Sequence, residues 1–240
     1  MKYRKYKKSY RRRKVATPKT MFPKTRLAKV VHQGNTTPTL SSLGLIGTSN
    51  YCIVKANDPF DPLELSLVGA FNKTAAGQNF WGNFYDHYEV VESKFTMIVK
   101  QSMGIDSGQL LNQMKIGLRL GDDATKPLST ELWTNYIADP NVKMKTLRFN
   151  TDGSAQVKLS MKFNAKKFFA HIDNAAHPGA TTNASPTELA YFIPFWQVEN
   201  LSTTETINSN INISFWTTYT VKYAEPKSIT TMPYNQGFQQ

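Results

Sequence analysis

Lys2, Arg4, Lys5, Lys7, Lys8, Arg11, Arg12, Arg13 and Lys14 place nine positive charges in a short N-terminal run, with Tyr3, Tyr6 and Tyr10 set among them. Cations at this density have one strong chemistry, the neutralisation of phosphates with release of condensed counterions. The tyrosines offer rings on which unpaired bases can stack, at about 1–3 kcal/mol per base. Equally, they read as incidental aromatics in a solvated segment. The run repels itself and has almost nothing apolar to bury, so a disordered arm is expected, and its nine Lys and Arg are the candidate nucleic-acid-binding residues.

The charge is confined to that end. The first 57 residues hold 14 of the 29 Lys and Arg and no Asp or Glu; the remaining residues hold 15 basic and all 17 acidic side chains. The net +12 is therefore +14 at one end and −2 over the rest. A secretory signal needs an apolar stretch after its positive start, and none follows here. A mitochondrial presequence is amphipathic and usually Ser-rich, whereas residues 2–14 carry charge on every face. A nuclear localisation signal is compatible with the same cluster. Five N-x-[ST] sequons, at Asn35, Asn72, Asn183, Asn200 and Asn212, are expected to be unglycosylated without a secretory signal. The longest apolar run, Ala190–Trp196, is too short to cross a bilayer, so no membrane insertion is expected.

Other reactive residues are sparse. Cys52 is the single cysteine, which excludes an intramolecular disulfide and any multi-cysteine zinc site; between Tyr51 and Ile53 it reads as a buried small hydrophobe. His87, His171 and His177 are the histidines of the body, and His171-x-Asp173 followed by His177 suggests a metal or an acid/base pair. The surrounding Asn-Ala-Ala-His-Pro-Gly reads as a loop, and no further ligands stand at metal-binding spacing. Asp58, Asp61 and Glu64 could share a divalent cation between subunits, but Asp58-Pro59 and Asp61-Pro62 read first as turn formers. There is no phosphate loop, no G-x-S-x-G elbow and no H-E-x-x-H. The expectation is a non-enzyme with no catalytic residues, no metal and no cofactor.

The elements that carry the arm are strands. Phe95, Met97 and Val99 alternate with Lys94, Thr96 and Lys100; Met114, Ile116, Leu118 and Leu120 with Lys115, Gly117 and Arg119; Val157, Leu159, Met161 and Phe163 with Lys158, Ser160 and Lys162. Ile211, Ile213, Phe215, Tyr219, Val221 and Tyr223 make the longest such series, broken at Trp216. Period-two alternation marks strands with one buried face. Tyr51–Ala56, Val142–Phe149 and Leu189–Val198 are also β-rich, and Pro194 places the last on an edge or at a bulge. Short helical turns are expected at Ser129–Trp133 and Asn79–His87, and Val15–Thr48 reads as linker and loop. The exposed loop aromatics Phe80, Trp81, Trp133 and Tyr136 are candidates for subunit contacts or for ordinary core packing. Seven or eight strands with long loops indicate an all-β sandwich or jelly roll. Residues 1–45 are expected to be arm and linker, and 46–240 the folded domain with a short tail.

Five segments, in order, resemble the capsid proteins of circovirus-like small circular single-stranded DNA viruses (CRESS-DNA viruses) that encode a replication initiator. They are Lys55-Ala-Asn-Asp-Pro-Phe-Asp-Pro62, Phe84–Lys94 with its Y-x-x-Y-x-V-x-x-S-K pattern, Ser160–Phe169 ending K-x-F-F, Asn183–Pro186 followed by Tyr191-Phe192, and Tyr219–Pro226. With the basic arm, the resemblance covers nearly the whole chain. It implies a single eight-stranded viral jelly roll of two packed antiparallel sheets, assembling as a homo-oligomer into an icosahedral shell, most simply of sixty copies. It also implies an arm lying inside the virion against the genomic single-stranded DNA. Assembly in the host nucleus would make a nuclear import receptor a further partner; the resemblance names no host attachment receptor. The arm mixes Lys and Tyr with Arg instead of being nearly all Arg, which leaves the genus open. Two other readings share the same features: the capsid of a small RNA virus, and a cellular RNA-binding or ribosomal protein with a basic extension. The latter would be expected to carry positive charge on its body as well.

Overall fold

The computed structural model describes residues 22–37, 51–65, 74–102, 111–124, 136, 138–169, 179–200 and 211–227. The strands are β1 (Thr25–Thr36), β2 (Ile53–Lys55), β3 (Leu63–Leu65), β4 (Tyr85–Gln101), β5 (Leu111–Gly121), β6 (Val142–Arg148), β7 (Gln156–Asn164), β8 (Gly179–Thr181), β9 (Tyr191–Asn200) and β10 (Ile211–Pro226). Two short helices, α1 (Gln78–Gly82) and α2 (Ala165–Phe168), lie between strands. One sheet runs β1-β10-β4-β7, with β8 paired to β4; the other runs β3-β2-β9-β5-β6. Every pairing is antiparallel. With the three-residue β3 and β8 set aside, eight strands remain in the order of two interlocked Greek keys, which is a jelly roll. The expected fold class is the one observed.

The alternating residues meet between the sheets. Phe95 and Phe215 of the first sheet stack at 5.6 Å, and Phe95 stacks on Phe192 of the second at 5.4 Å. Met97, Val99, Met114, Ile116, Leu118, Leu159, Phe163, Ile211, Ile213, Tyr219 and Val221 close around them, all buried. The break expected at Trp216 is resolved by register. Thr217 takes the inward slot and is fully buried, while Trp216 faces outward opposite Thr96. Alternation is strict; only the polarity of one residue departs from it.

Two expectations are corrected. Thr25–Thr36 is not linker: all twelve residues pair with β10 as an edge strand. Its alternation is obscured because Arg26 and His32 share the inward face with Val30, while Leu27 and Val31 are exposed on the outer one. Nor is the strand bearing Pro194 at an edge or bulged there, since β9 lies between β2 and β5 with continuous register through Leu118↔Pro194. The proline is tolerated because β2 is only three residues long. Pro194 accepts from the Cys52 amide at 3.1 Å just ahead of β2, so its missing donor forgoes a single bond to Cys52 at the margin of that short strand. The turn expected at Asn79–His87 forms as α1 and then gives way to β4. The turn expected at Ser129–Trp133 lies outside the described residues.

Gly117 is a close approach made necessary by packing. The far end of the Phe195 ring lies against it, and a Cβ there would fall 2.1 Å from Phe195 Cζ. This lets Phe195, on the outer face of the second sheet, bury completely beneath Tyr136.

Candidate nucleic-acid interface

The nine arm residues, Lys2 through Lys14, and Tyr3, Tyr6 and Tyr10 lie outside the described residues. What is described is the point where the chain joins the sheet. The Phe22 ring sits 4.7 Å from Phe84 and 6.3 Å from Tyr85. Tyr85 Oη donates to the Pro23 carbonyl at 3.2 Å, and the Arg26 guanidinium lies 5.7 Å from the Trp81 ring centroid. Aromatic contacts and a cation–π contact thus anchor Phe22–Arg26 to the rim, beside the end of β10.

Four of the five resemblance segments converge at that end, and their polar residues hold one another. Tyr88 Oη donates to Asp58 Oδ1 and lies 3.0 Å from the Ala184 carbonyl as well. Asp58 Oδ1 also accepts from the Phe60 and Asp61 amides at 3.0 and 3.1 Å, closing an Asx turn. Asn57 donates through Nδ2 to the Glu188 carbonyl at 2.8 Å and accepts the Ala190 amide at 3.0 Å. Ser93 Oγ donates to the Ala56 carbonyl, and Tyr219 Oη to the Lys55 carbonyl at 2.8 Å. Ala56, Asn57, Asp58, Ser93, Tyr88 and Tyr219 are all buried. Burial pushes the Tyr88 and Tyr219 phenols well up and raises the Asp58 carboxyl above its ordinary value, despite the donors around it. These motif residues tie the loop after β2 to both sheets. Their work is to hold the fold.

The acidic cluster proves to be organised by a lysine. Lys55 Nζ lies 3.8 Å from Asp58, 3.0 Å from Asp61 and 3.2 Å from Glu64, and its side chain is 7% exposed. Burial works against the ammonium, but Asp61, Asp58 and Glu64 more than offset it and raise its pKa. Three carboxylates already share one cation, and Asp58 is the turn former expected. Among the described residues no group of three or more His, Cys, Asp and Glu is placed to hold a metal ion. His87 Nδ1 pairs with Glu225 at 3.0 Å on the surface; His171, Asp173 and His177 lie outside the described residues. Cys52 is buried, with its thiol pushed up to about 12. Of the aromatic candidates, Tyr136 is buried, Trp81 half-buried and Phe80 58% exposed, while Trp133 is outside the description.

The outer faces of the two sheets differ in kind. On the second, Phe195 and Ile193 are fully buried under Tyr51, Tyr136, Val142, Met144 and Leu189. Around these two residues that face is covered by the chain itself, while Thr146 and Arg148 on β6 are exposed. The outer face of β1-β10-β4-β7 presents instead Lys29, Lys94, Lys100, Lys158, Lys162 and Lys222, all exposed. Thr96, Ser160, Ser214, Thr218 and half-buried Trp216 lie among them. Sequence reading registered most of these lysines only as the solvated side of each strand; that they share one face depends on strand order.

No protein-family model matches the chain, and no curated protein matches it. Among solved structures it is similar to the giant freshwater prawn Macrobrachium rosenbergii nodavirus semi-empty VLP, with 10% identity, a TM-score of 0.49, and 85% of this chain and 95% of that one covered. It is also similar to the decameric BFDV capsid protein, at 10% identity and a TM-score of 0.44 over 84% of this chain and 99% of that one. Desmodium yellow mottle tymovirus matches at 10% identity and a TM-score of 0.39, over 95% and 96% respectively. Identities and scores this low say nothing about function.

Proposed function

We propose that this chain is a viral capsid protein. It self-assembles into a small icosahedral shell, of sixty copies in its simplest form, and packages circular single-stranded DNA through Lys2, Arg4, Lys5, Lys7, Lys8, Arg11, Arg12, Arg13 and Lys14. The observation that carries the reading is a conjunction: an acid-free, Lys/Arg-dense N-terminal segment joined to the edge strand of a jelly roll. A jelly roll alone hosts many functions. A polycation attached to one is suited to a repeated shell unit that must also neutralise a polyanion. Sixty segments at +14 supply about 840 positive charges against phosphate, each engaging without regard to sequence. The virion is the site of action, and the same basic cluster suits recognition by a nuclear import receptor before assembly.

Lateral association falls to the folded part. Phe80, exposed at the rim with Phe84 and Trp81 packed edge-on behind it at 5.2 Å, is suited to anchor a second copy of the chain.

The test is to express the full chain and a variant with all nine arm Lys and Arg changed to Gln, image both by electron microscopy, and identify the co-purified nucleic acid. Closed shells of uniform diameter from both, with nucleic acid retained at low salt by the native chain alone, are expected. Monomers that bind one structured RNA specifically would overturn the reading in favour of a cellular RNA-binding protein. Shells assembled in infected cells that hold RNA instead of DNA would move it to an RNA virus.

A further inference from the structure

The exposed face of β1-β10-β4-β7 carries charge that the fold has no use for. Lys94 and Lys162 stand directly opposite each other on adjacent strands. Like charges so placed destabilise a sheet. Lys158 and Lys100 continue the row along β7 and β4, Lys29 lies across the sheet on β1, and Lys222 sits at the far end of β10. Among the described residues the carboxylates of this face are Glu89, Glu92 and, at the far end of β10, Glu225, which is paired with His87. Glu89 lies 3.6 Å from Lys222 Nζ, and Glu92 accepts from Thr220 Oγ1. No carboxylate is paired with Lys94, Lys100, Lys158 or Lys162 among the ion pairs of the described residues. The hydroxyls of Ser160, Ser214 and Thr218 and the amides of Asn212 and Gln156 fill the spaces between.

Trp216 lies at the centre of this field. Lys158 Nζ is 5.8 Å from its ring centroid, and a groove beside it is lined by Val31, Gln33, Asn35 and Ser214. A ring with a cation over it, at the edge of a groove of hydroxyls and amides, suits a base whose phosphate lies on the lysines. The face is also continuous with the basic segment, because β1 is the strand that segment leads into.

We propose that this sheet face is a second nucleic-acid surface, taking the phosphates of a single strand on Lys94, Lys100, Lys158 and Lys162, with Trp216 available to stack on a base. The proposal rests on the packaging reading above for its partner and adds an orientation: this face turns toward the shell's interior, and the outer face of the other sheet toward the exterior. The lysines, held on hydrogen-bonded strands, give the packaged strand a fixed surface.

The experiment measures binding of a fluorescent thymidine oligonucleotide to the full chain over a salt series. The sheet variant Lys94→Gln/Lys158→Gln/Lys162→Gln is compared with a control, Lys115→Gln/Lys145→Gln/Arg148→Gln, on the other sheet. Losing three phosphate contacts should make the slope of log K against log salt shallower by about 2 for the sheet variant, while the control stays at the native slope. Replacing the same three lysines by Arg should keep the native slope, which separates charge from misfolding. An unchanged slope in the Gln variant, or an equal loss in the control, overturns the proposal. So does an unchanged slope accompanied by lost binding to phosphatidylserine vesicles, which would assign the face to a membrane. The arm-neutral chain separates the two readings: a native slope there, with a shallower one in the sheet variant, removes the arm's role and leaves the face standing.

Discussion

Tyr88 Oη donates to Asp58 Oδ1 at 3.0 Å, joining residues thirty positions apart in a site where both are buried. Tyr88 stands on β4 and Asp58 in the loop after β2, so this one bond links the two sheets. It also places a donor against a carboxylate that burial has raised above its ordinary pKa.

Tyr88→Phe removes that donor and leaves Asp58 Oδ1 with only the Phe60 and Asp61 amides. A loss of about 1.5–3 kcal/mol is expected, as for hydrogen bonds to charged groups. Urea unfolding monitored by tryptophan fluorescence measures it, and a change below about 0.5 kcal/mol would place the variant among ordinary surface substitutions and count against the bond's role.

Lys55 gives a pH dependence with a definite sign. Its pKa is raised on folding, so the folded chain holds the proton more tightly than the unfolded chain does. The stability this contributes is fully present below the ordinary value of 10.5 and is lost as pH rises through the raised value. Lys55→Met should therefore unfold at lower temperature than the native chain at neutral pH, with the two Tm values converging in strong alkali. Parallel Tm curves across that window would show that the cluster does not depend on the lysine's charge.

Gly117→Ala drives a methyl into the Phe195 ring, and overpacking of this kind costs about 1–3 kcal/mol. Because the clash is with one side chain, Phe195→Leu in the same chain should recover part of the loss. A double-mutant cycle that returned simple additivity would mean the strand moves instead of the ring.

Cys52, buried with its thiol raised to about 12, is expected to resist Ellman's reagent in the native chain and to react fully once the chain is unfolded in denaturant. Rapid native reactivity would show that the β2 region opens readily.

Phe80→Glu should leave the Tm nearly unchanged, since the ring is mostly exposed, yet abolish closed shells in electron micrographs. Intact shells from this variant would move the lateral contact elsewhere.

The strand interiors were legible because period two is a local property. Phe95, Met97 and Val99, or Leu159, Met161 and Phe163, declare a buried face whatever they are packed against. β1 was not legible. Its inward face mixes Val30 with Arg26 and His32, its outer face carries exposed Leu27 and Val31, and its partner β10 lies at the other end of the chain, so no local period marks Thr25–Thr36. Pro194 misled for a related reason. Whether a strand is central is decided by its neighbours, and the short β2 makes a central proline cheap.

From composition and order alone came the polarity of the chain, a dense cation at one end and a nearly neutral all-β body, together with the segments on which a capsid resemblance rests. Charge density and alternation survive in a linear string because each depends on neighbours a few residues apart. Only the tertiary structure decided what those segments do and where the remaining lysines go. Asn57, Asp58, Tyr88 and Tyr219 become a buried lock because their loops and strands are folded to one end of the sandwich. Lys94 and Lys162 become neighbours because β7 pairs with β4. Pairings between residues this far apart depend on sheet topology, which no local pattern carries.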